Sequence, residues 1–114
     1  MGAAYVPNRG DIVWLQFTPQ AGHEQAGHRP ALVISPRSYN QKVGLALFCP
    51  ITSSVKGYPF EVMVPSGLKT GGAVLSDQIK SLDWRVRSAK FVESLPETAL
   101  EDVIARILVL VDPQ

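Results

Sequence analysis

The chain has 114 residues, a length that fits one domain near the common size for independent folding. Hydrophobic residues make up 46% and charged residues 18%, which excludes a disordered segment and lets roughly two-thirds of the unfolded surface be buried without staples or metals. The formal net charge of +1 by itself points to no polyanionic partner.

The first predicted strand is Asp11 to Phe17 (DIVWLQF), rich in β-branched and aromatic residues. Its apolar stretch, Ile12 to Phe17, is short and follows Arg9 and Asp11, so no secretory leader is expected. A loop of unusual content follows, Thr18-Pro-Gln-Ala-Gly-His-Glu-Gln-Ala-Gly-His-Arg29. It has no large apolar side chain and so cannot be a packed connection. Two imidazoles, a carboxylate and a guanidinium fall close together in it, and Gly22 and Gly27 would let its backbone lie over a ligand. His23-Glu24 and His28 superficially suggest a zinc-protease motif, but that motif needs histidines four apart on a helix. Here they are five apart, about 140° off one helical face, with Gly27 between them. No metal site and no cofactor is expected.

Pro30 to Ser35 (PALVIS) is a continuous apolar run and reads as a buried strand, and a short helix fits between Pro36 and Gln41. Leu45 to Thr52 (LALFCPIT) is the third strand; its Cys49 lacks a disulfide partner, which suits a reducing cytoplasm, and should be a packed thiol rather than a nucleophile. The loop Thr52-Ser-Ser-Val-Lys-Gly-Tyr-Pro-Phe60 carries hydroxyls, a lysine and a tyrosine. These suit phosphate and base contacts, although Ser, Thr and Tyr58-Pro59 are also ordinary turn formers. Phe60 to Val64 is a fourth strand, the segment Pro65 to Gly72 a turn region, and Ala73 to Leu82 and Ala89 to Ser94 supply the remaining strands.

One helix is expected late. Ser94-Leu-Pro-Glu reads as a cap followed by an early proline, with Glu97, Glu101 and Asp102 near the positive end of the helix dipole. Leu100, Val103, Ile104, Ile107, Leu108 and Val111 fall at helical spacing, though ILVLV from Ile107 could equally turn into a final strand. That run is far below the roughly 20 residues of a membrane span, so a soluble, cytoplasmic protein is expected. With no repeat and no linker, residues 1–114 read as a single domain. Many short strands and one helix predict a mainly β fold, a small bent barrel with a C-terminal helix. The apolar stripe of that helix serves either the core or a dimer contact.

Charge is unevenly placed. Between Gln25 and Lys90 lie nine basic residues against three acidic ones, while the last 24 residues carry one basic and five acidic. A basic body with an acidic end suits a polyanion or an acidic peptide, or is simply an uneven solvated surface. RNA carries its own nucleophile, the 2′-hydroxyl, so a nuclease without metal need only orient it, move protons and neutralise charge at phosphorus. A guanidinium at Arg29 suits the last task, because it binds two phosphate oxygens and stays charged. A salt bridge of Arg29 with Glu24 or Asp77 is the structural alternative. Thr52 could hydrogen-bond the same phosphate, and a carboxylate or imidazole at Glu24 or His28 could exchange the proton.

The segments YVPxxGD (Tyr5 to Asp11), EQAGHRPALVIS (Glu24 to Ser35), Tyr39-Asn40, TSSVKGYPFEV (Thr52 to Val62) and DQIKSLDWRVR (Asp77 to Arg87) together resemble the MazF family of toxin–antitoxin ribonucleases, in register from about Tyr5 to Arg87. The resemblance implies an SH3-like barrel, the fold shared with the Kid and gyrase-poisoning toxins, assembled as a homodimer. It implies metal-independent cleavage of single-stranded messenger RNA at short, ACA-containing motifs, leaving a 2′,3′-cyclic phosphate and a free 5′-hydroxyl. The family's catalytic arginine and threonine match Arg29 and Thr52, and its loop glutamate matches Glu24. Gln25, His28, Asn40 and Lys56 fall where substrate contacts are expected, and Phe17, Lys80 and Arg87 are further candidates. The partner implied is a MazE-like antitoxin whose acidic, extended tail lies over the RNA groove. The loop departs from the family pattern at Gln20, Ala21 and His23. Two rivals are a non-catalytic gyrase inhibitor on the same fold, disfavoured by retention of Arg29 and Thr52, and a plain RNA-binding barrel, which would leave RNA intact.

Overall fold

The computed structural model describes residues 4–17 and 28–113. Glu24, Gln25 and the rest of the 18–27 segment lie outside the described residues. The elements are β1 (Asp11–Gln16), β2 (His28–Val33), α1 (Arg37–Val43), β3 (Leu45–Thr52), β4 (Glu61–Met63), β5 (Ala73–Leu75), β6 (Lys80–Asp83), β7 (Lys90–Ser94) and α2 (Glu97–Val111). Among the described residues the strands pair antiparallel, in the order β4-β5-β3-β2-β1-β7, with β6 also on β3. The expected mainly β fold with a C-terminal helix is therefore present. The barrel is an open one, with β4 and β7 at the two ends of the strand path.

The apolar runs in β2 and β3 are continuous because these strands are buried on both faces. One row across the sheet, Ile12↔Leu32↔Cys49, packs against α2 through Ala99, Val103 and Ile107. The alternate residues, Val13, Leu15, Ala31, Val33, Ala46 and Phe48, face a second core closed by Trp84. Successive strand side chains point to opposite faces, so each strand feeds both cores. Cys49 is fully buried, as expected, and burial pushes its thiol up to about 12.

The segment expected as one strand from Ala73 to Leu82 divides. A turn, with Gln78 N–H donating to Leu75 O at 3.1 Å, separates β5 from β6. The two halves then pair with different parts of β3: Ala73 and Val74 with Thr52 and Ile51, and Lys80 to Asp83 with Phe48 to Leu45. A β3 of eight residues can hold both only if the chain breaks between them.

α1 ends at Gly44, whose backbone is left-handed (φ +83°) and whose N–H donates to Asn40 O, the usual way a helix satisfies its last carbonyls. α2 begins at Glu97, and Pro96 occupies its N-cap with no side-chain cap. Ser94, expected as that cap, is the last residue of β7. It stands two residues before the N-cap, still paired in the sheet, and the next residue, Leu95, donates to Gly10 O. α2 then runs straight through ILVLV, resolving that stretch as helix. Its buried ridge Ala99, Val103, Ile107 has the four-residue spacing of one helix face. Asp102 and Arg106 form an ion pair one turn apart, and Arg106 Nε also donates to Pro59 O. No helix of the described residues is long and apolar enough to cross a membrane.

Candidate functional site

The site is built on the end of β1, β2 and β3 that carries Gln16, Arg29 and Thr52. Leu15 pairs with Arg29, and Ala31 pairs with Pro50. Arg29 and Thr52 each stand two residues beyond the Ala31↔Pro50 pair, in the row that continues the β2–β3 register. By the alternation of strand side chains both belong to the face that carries Ala31 and Phe48. Each is half-buried. Among the described residues the ion pair is Arg106–Asp102, so Arg29 is not tied to Asp77. The salt bridge weighed for it with Asp77 is absent; the one with Glu24 falls outside the described residues.

Lys80 pairs with Phe48 and so takes the same face, one step along from Pro50. Arg87 comes to the end of β1, where its Nη1 donates to Gln16 O at 3.2 Å and its carbonyl accepts the Gln16 N–H at 3.1 Å. Two guanidinium groups and an ammonium thus border one end of the second core.

A cleft of about 290 Å³ opens beside Thr52, lined by Ser54, Lys56, Tyr58, Glu61, Asp77 and Gln78 among others. Thr52 Oγ1 accepts the Ser54 N–H at 3.0 Å, which holds the hydroxyl at the strand end. The Glu61 carboxylate accepts the N–H groups of Lys56 and Gly57, the latter at 2.7 Å, and folds the loop back over β4. Lys56 is exposed in this cleft, where a substrate contact was expected. Arg29 does not line the cleft; it stands two residues past the last β2–β3 pair, on the face Thr52 shares. Asp77 and Gln78 were not expected here. They reach the cleft because the β5–β6 turn folds back beside β3, and the polar break Ser76-Asp77-Gln78 after Ala73-Val74-Leu75 is the signal that could have found them.

Three expected contacts sit differently. Asn40 is fully buried: its Nδ2 donates to Pro7 O at 2.8 Å and Ser35 O at 3.0 Å, and its Oδ1 accepts the Ser35 hydroxyl. Its backbone carbonyl takes the Trp84 indole N–H at 3.1 Å. With its whole amide spent inside, Asn40 is a pin between α1, the N-terminal segment and the second core, not a substrate contact. Phe17 is 8% exposed and its ring fills the second core rather than facing a ligand. His28 is exposed but is adjacent to Arg29 in the same strand and so takes the opposite face, where it stacks on Trp14 with 6° between ring planes. Glu24 and Gln25 lie outside the described residues.

Residues 8–111 match the model of the PemK-like, MazF-like toxin family of type II toxin–antitoxin systems. The chain is 47% identical over 111 residues to the endoribonuclease toxin MazF of Escherichia coli K12, covering 97% of this chain and 99% of that protein. It is similar to the crystal structure of MazF from Deinococcus radiodurans (51% identity, TM-score 0.89, 96% of this chain and 100% of that one). A MazE–MazF crystal structure from the same organism matches at 50% identity with a TM-score of 0.90, covering 97% of this chain and 100% of that one.

Proposed function

Because the chain belongs to the PemK-like, MazF-like toxin family, we propose that it cuts single-stranded RNA at a phosphate held between Arg29 and Thr52. It is an endoribonuclease of a type II toxin–antitoxin system. The reading of its site is carried by the position of these two residues, each two past the last β2–β3 pair, Ala31↔Pro50, on one face of the sheet.

The 2′-oxygen attacks the adjacent phosphorus, its proton passing to a base, and the P–O5′ bond breaks as the 5′-oxygen takes up a proton. The products are a 2′,3′-cyclic phosphate and a 5′-hydroxyl, and no metal is required because the nucleophile is internal to the substrate. Charge builds on the non-bridging oxygens in this step. The Arg29 guanidinium binds two of them and remains charged throughout, and the Thr52 hydroxyl donates a further hydrogen bond. The face opposite Arg29 is the one His28 occupies, which leaves Glu24 or water as the base. Lys80 and Arg87 hold flanking phosphates, and the cleft beside Thr52, with Lys56 at its wall, takes a neighbouring nucleotide.

The reading extends to partners. The solved MazE–MazF complex and the excess of six basic charges between Gln25 and Lys90 support a MazE-like antitoxin whose acidic, extended tail covers the same groove. The exposed apolar end of α2, Leu108 to Val111, supports assembly as a homodimer. A single buried thiol and a messenger RNA substrate suit the cytoplasm.

Incubation with a long, defined RNA in excess EDTA, followed by mapping of 5′ ends, tests this reading. Cuts should persist and cluster at one short motif, with ACA-containing sites the first to inspect, and the upstream ends should carry cyclic phosphate. Intact RNA, or cleavage that returns only with a divalent ion, would overturn it.

A further inference from the structure

Gly72, the residue before β5, has a backbone φ of +105°, a conformation that residues with a side chain rarely adopt. Its carbonyl accepts the Val64 N–H at 2.9 Å, and the next residue, Ala73, pairs with both Thr52 and Met63. The α-carbon of Gly72 is thereby pressed against the end of β3. A Cβ built there would lie 2.9 Å from the Thr52 carbonyl carbon, closer still to its oxygen, and 3.3 Å from Ser53 Cα. These are backbone atoms, which cannot swing aside as a flexible side chain does. Carbon contacts settle near 3.5 Å, so any side chain at 72 must push the Thr52 peptide by on the order of 1 Å. Gly67, in the turn before β5, also has a positive φ (+95°), but a Cβ there meets nothing within 4 Å.

From this contact we infer that Gly72 is a positioning residue for cleavage: its missing side chain sets where the Thr52 hydroxyl stands. The inference rests on Thr52 acting at the scissile phosphate, as proposed above. The Thr52 hydroxyl takes its place from its own backbone and from the Ser54 N–H, so a shift of that peptide carries the hydroxyl with it. Misplacing a transition-state contact by about 1 Å costs on the order of 10²-fold in rate. Arg29, on the next strand, is not touched by Gly72, and RNA binding through the cations should survive.

The test compares Gly72→Ala, Thr52→Ala and the double variant on one defined RNA, with Gly67→Ala as the control for positive-φ strain. Gly72→Ala should lower kcat on the order of 10- to 100-fold, leave KM within about twofold, and add nothing in the Thr52→Ala background. Gly72→Asn carries the same Cβ on a residue that tolerates positive φ better, and should show the same defect. Near wild-type kcat for a folded Gly72 variant, or a loss that multiplies with that of Thr52→Ala, overturns the inference. So does loss of folding in both Gly72 variants, which would make the glycine a purely structural one. If Thr52→Ala alone cuts RNA at the wild-type rate, the role of Thr52 itself has failed, and that single variant separates the two failures.

Discussion

Arg29 and Thr52 fall in the row that continues the β2–β3 register beyond its last pair, Ala31↔Pro50, on the face shared with Phe48. No other arginine of the described residues stands in that row. Arg9 Nε is bonded to Ile34 O, Arg37 lies in α1, Arg85 stacks over Trp84, Arg87 Nη1 donates to Gln16 O at the end of β1 and Arg106 is paired on α2.

Arg29→Ala should therefore lower kcat by on the order of 10² to 10³, as for loss of one preorganised donor to a developing oxyanion. Arg29→Lys should recover only part of that rate, because an ammonium keeps the charge but not the planar, two-pronged geometry. Single-turnover cleavage of a defined RNA measures both. An Arg29→Ala protein that cuts at nearly the wild-type rate would remove Arg29 from the reaction.

The pinning role of Asn40 makes a contrasting prediction. Truncation to alanine leaves the Ser35 hydroxyl and the Pro7 and Ser35 carbonyls without their buried partner, at roughly 1–3 kcal/mol for each group left unsatisfied. Asn40→Ala should lose about 3 kcal/mol or more of stability, seen as a large fall in Tm, while the folded fraction keeps the wild-type KM for RNA. A stable Asn40→Ala protein with weakened RNA binding would restore the substrate contact first expected of it.

Glu93 ties the β4–β5 turn to β7. Its carboxylate accepts the backbone N–H groups of Lys69 at 3.0 Å and Thr70 at 2.8 Å. The Lys69 N–H, followed by the Thr70 contacts, holds its pKa below the ordinary 4.5 against the opposing effect of desolvation. A carboxyl with a depressed folded pKa contributes stability above its unfolded value, and that contribution is lost as pH falls through 4.5 and then through the lower folded pKa. The Tm of the native protein should drop more steeply between about pH 5 and about pH 3 than that of Glu93→Gln. Parallel curves for the two proteins would show that this carboxylate does not couple to folding.

Much of the architecture was legible before any coordinates. Asp11 to Phe17, Leu45 to Thr52 and Ala89 to Ser94 coincide within a residue with β1, β3 and β7, because strands with a buried face carry β-branched and aromatic residues between turn formers. The late helix was legible from its four-residue apolar spacing, and the division of Ala73–Leu82 was not, because the turn inside it is decided by how β3 shares its edge. The site was legible as residue types in two loops. Asn40 and Phe17 were misplaced for one reason: polarity and aromaticity mark a residue as capable of contact but say nothing of the side it faces.

Composition, periodicity and the order of charged loops determined that this chain is a mainly β protein with one C-terminal helix and a basic middle. Those are local properties, set within a few residues by backbone preference and the alternation of apolar side chains. Which face is core, and which distant residues stand together, came from register. Pairing Ala31 with Pro50 sets Arg29 and Thr52 on one face at the same end of β2 and β3, and the close approach of Gly72 carries β5 to Thr52. Such pairings join segments far apart along the chain, and their energy is collected only when both cores close around them.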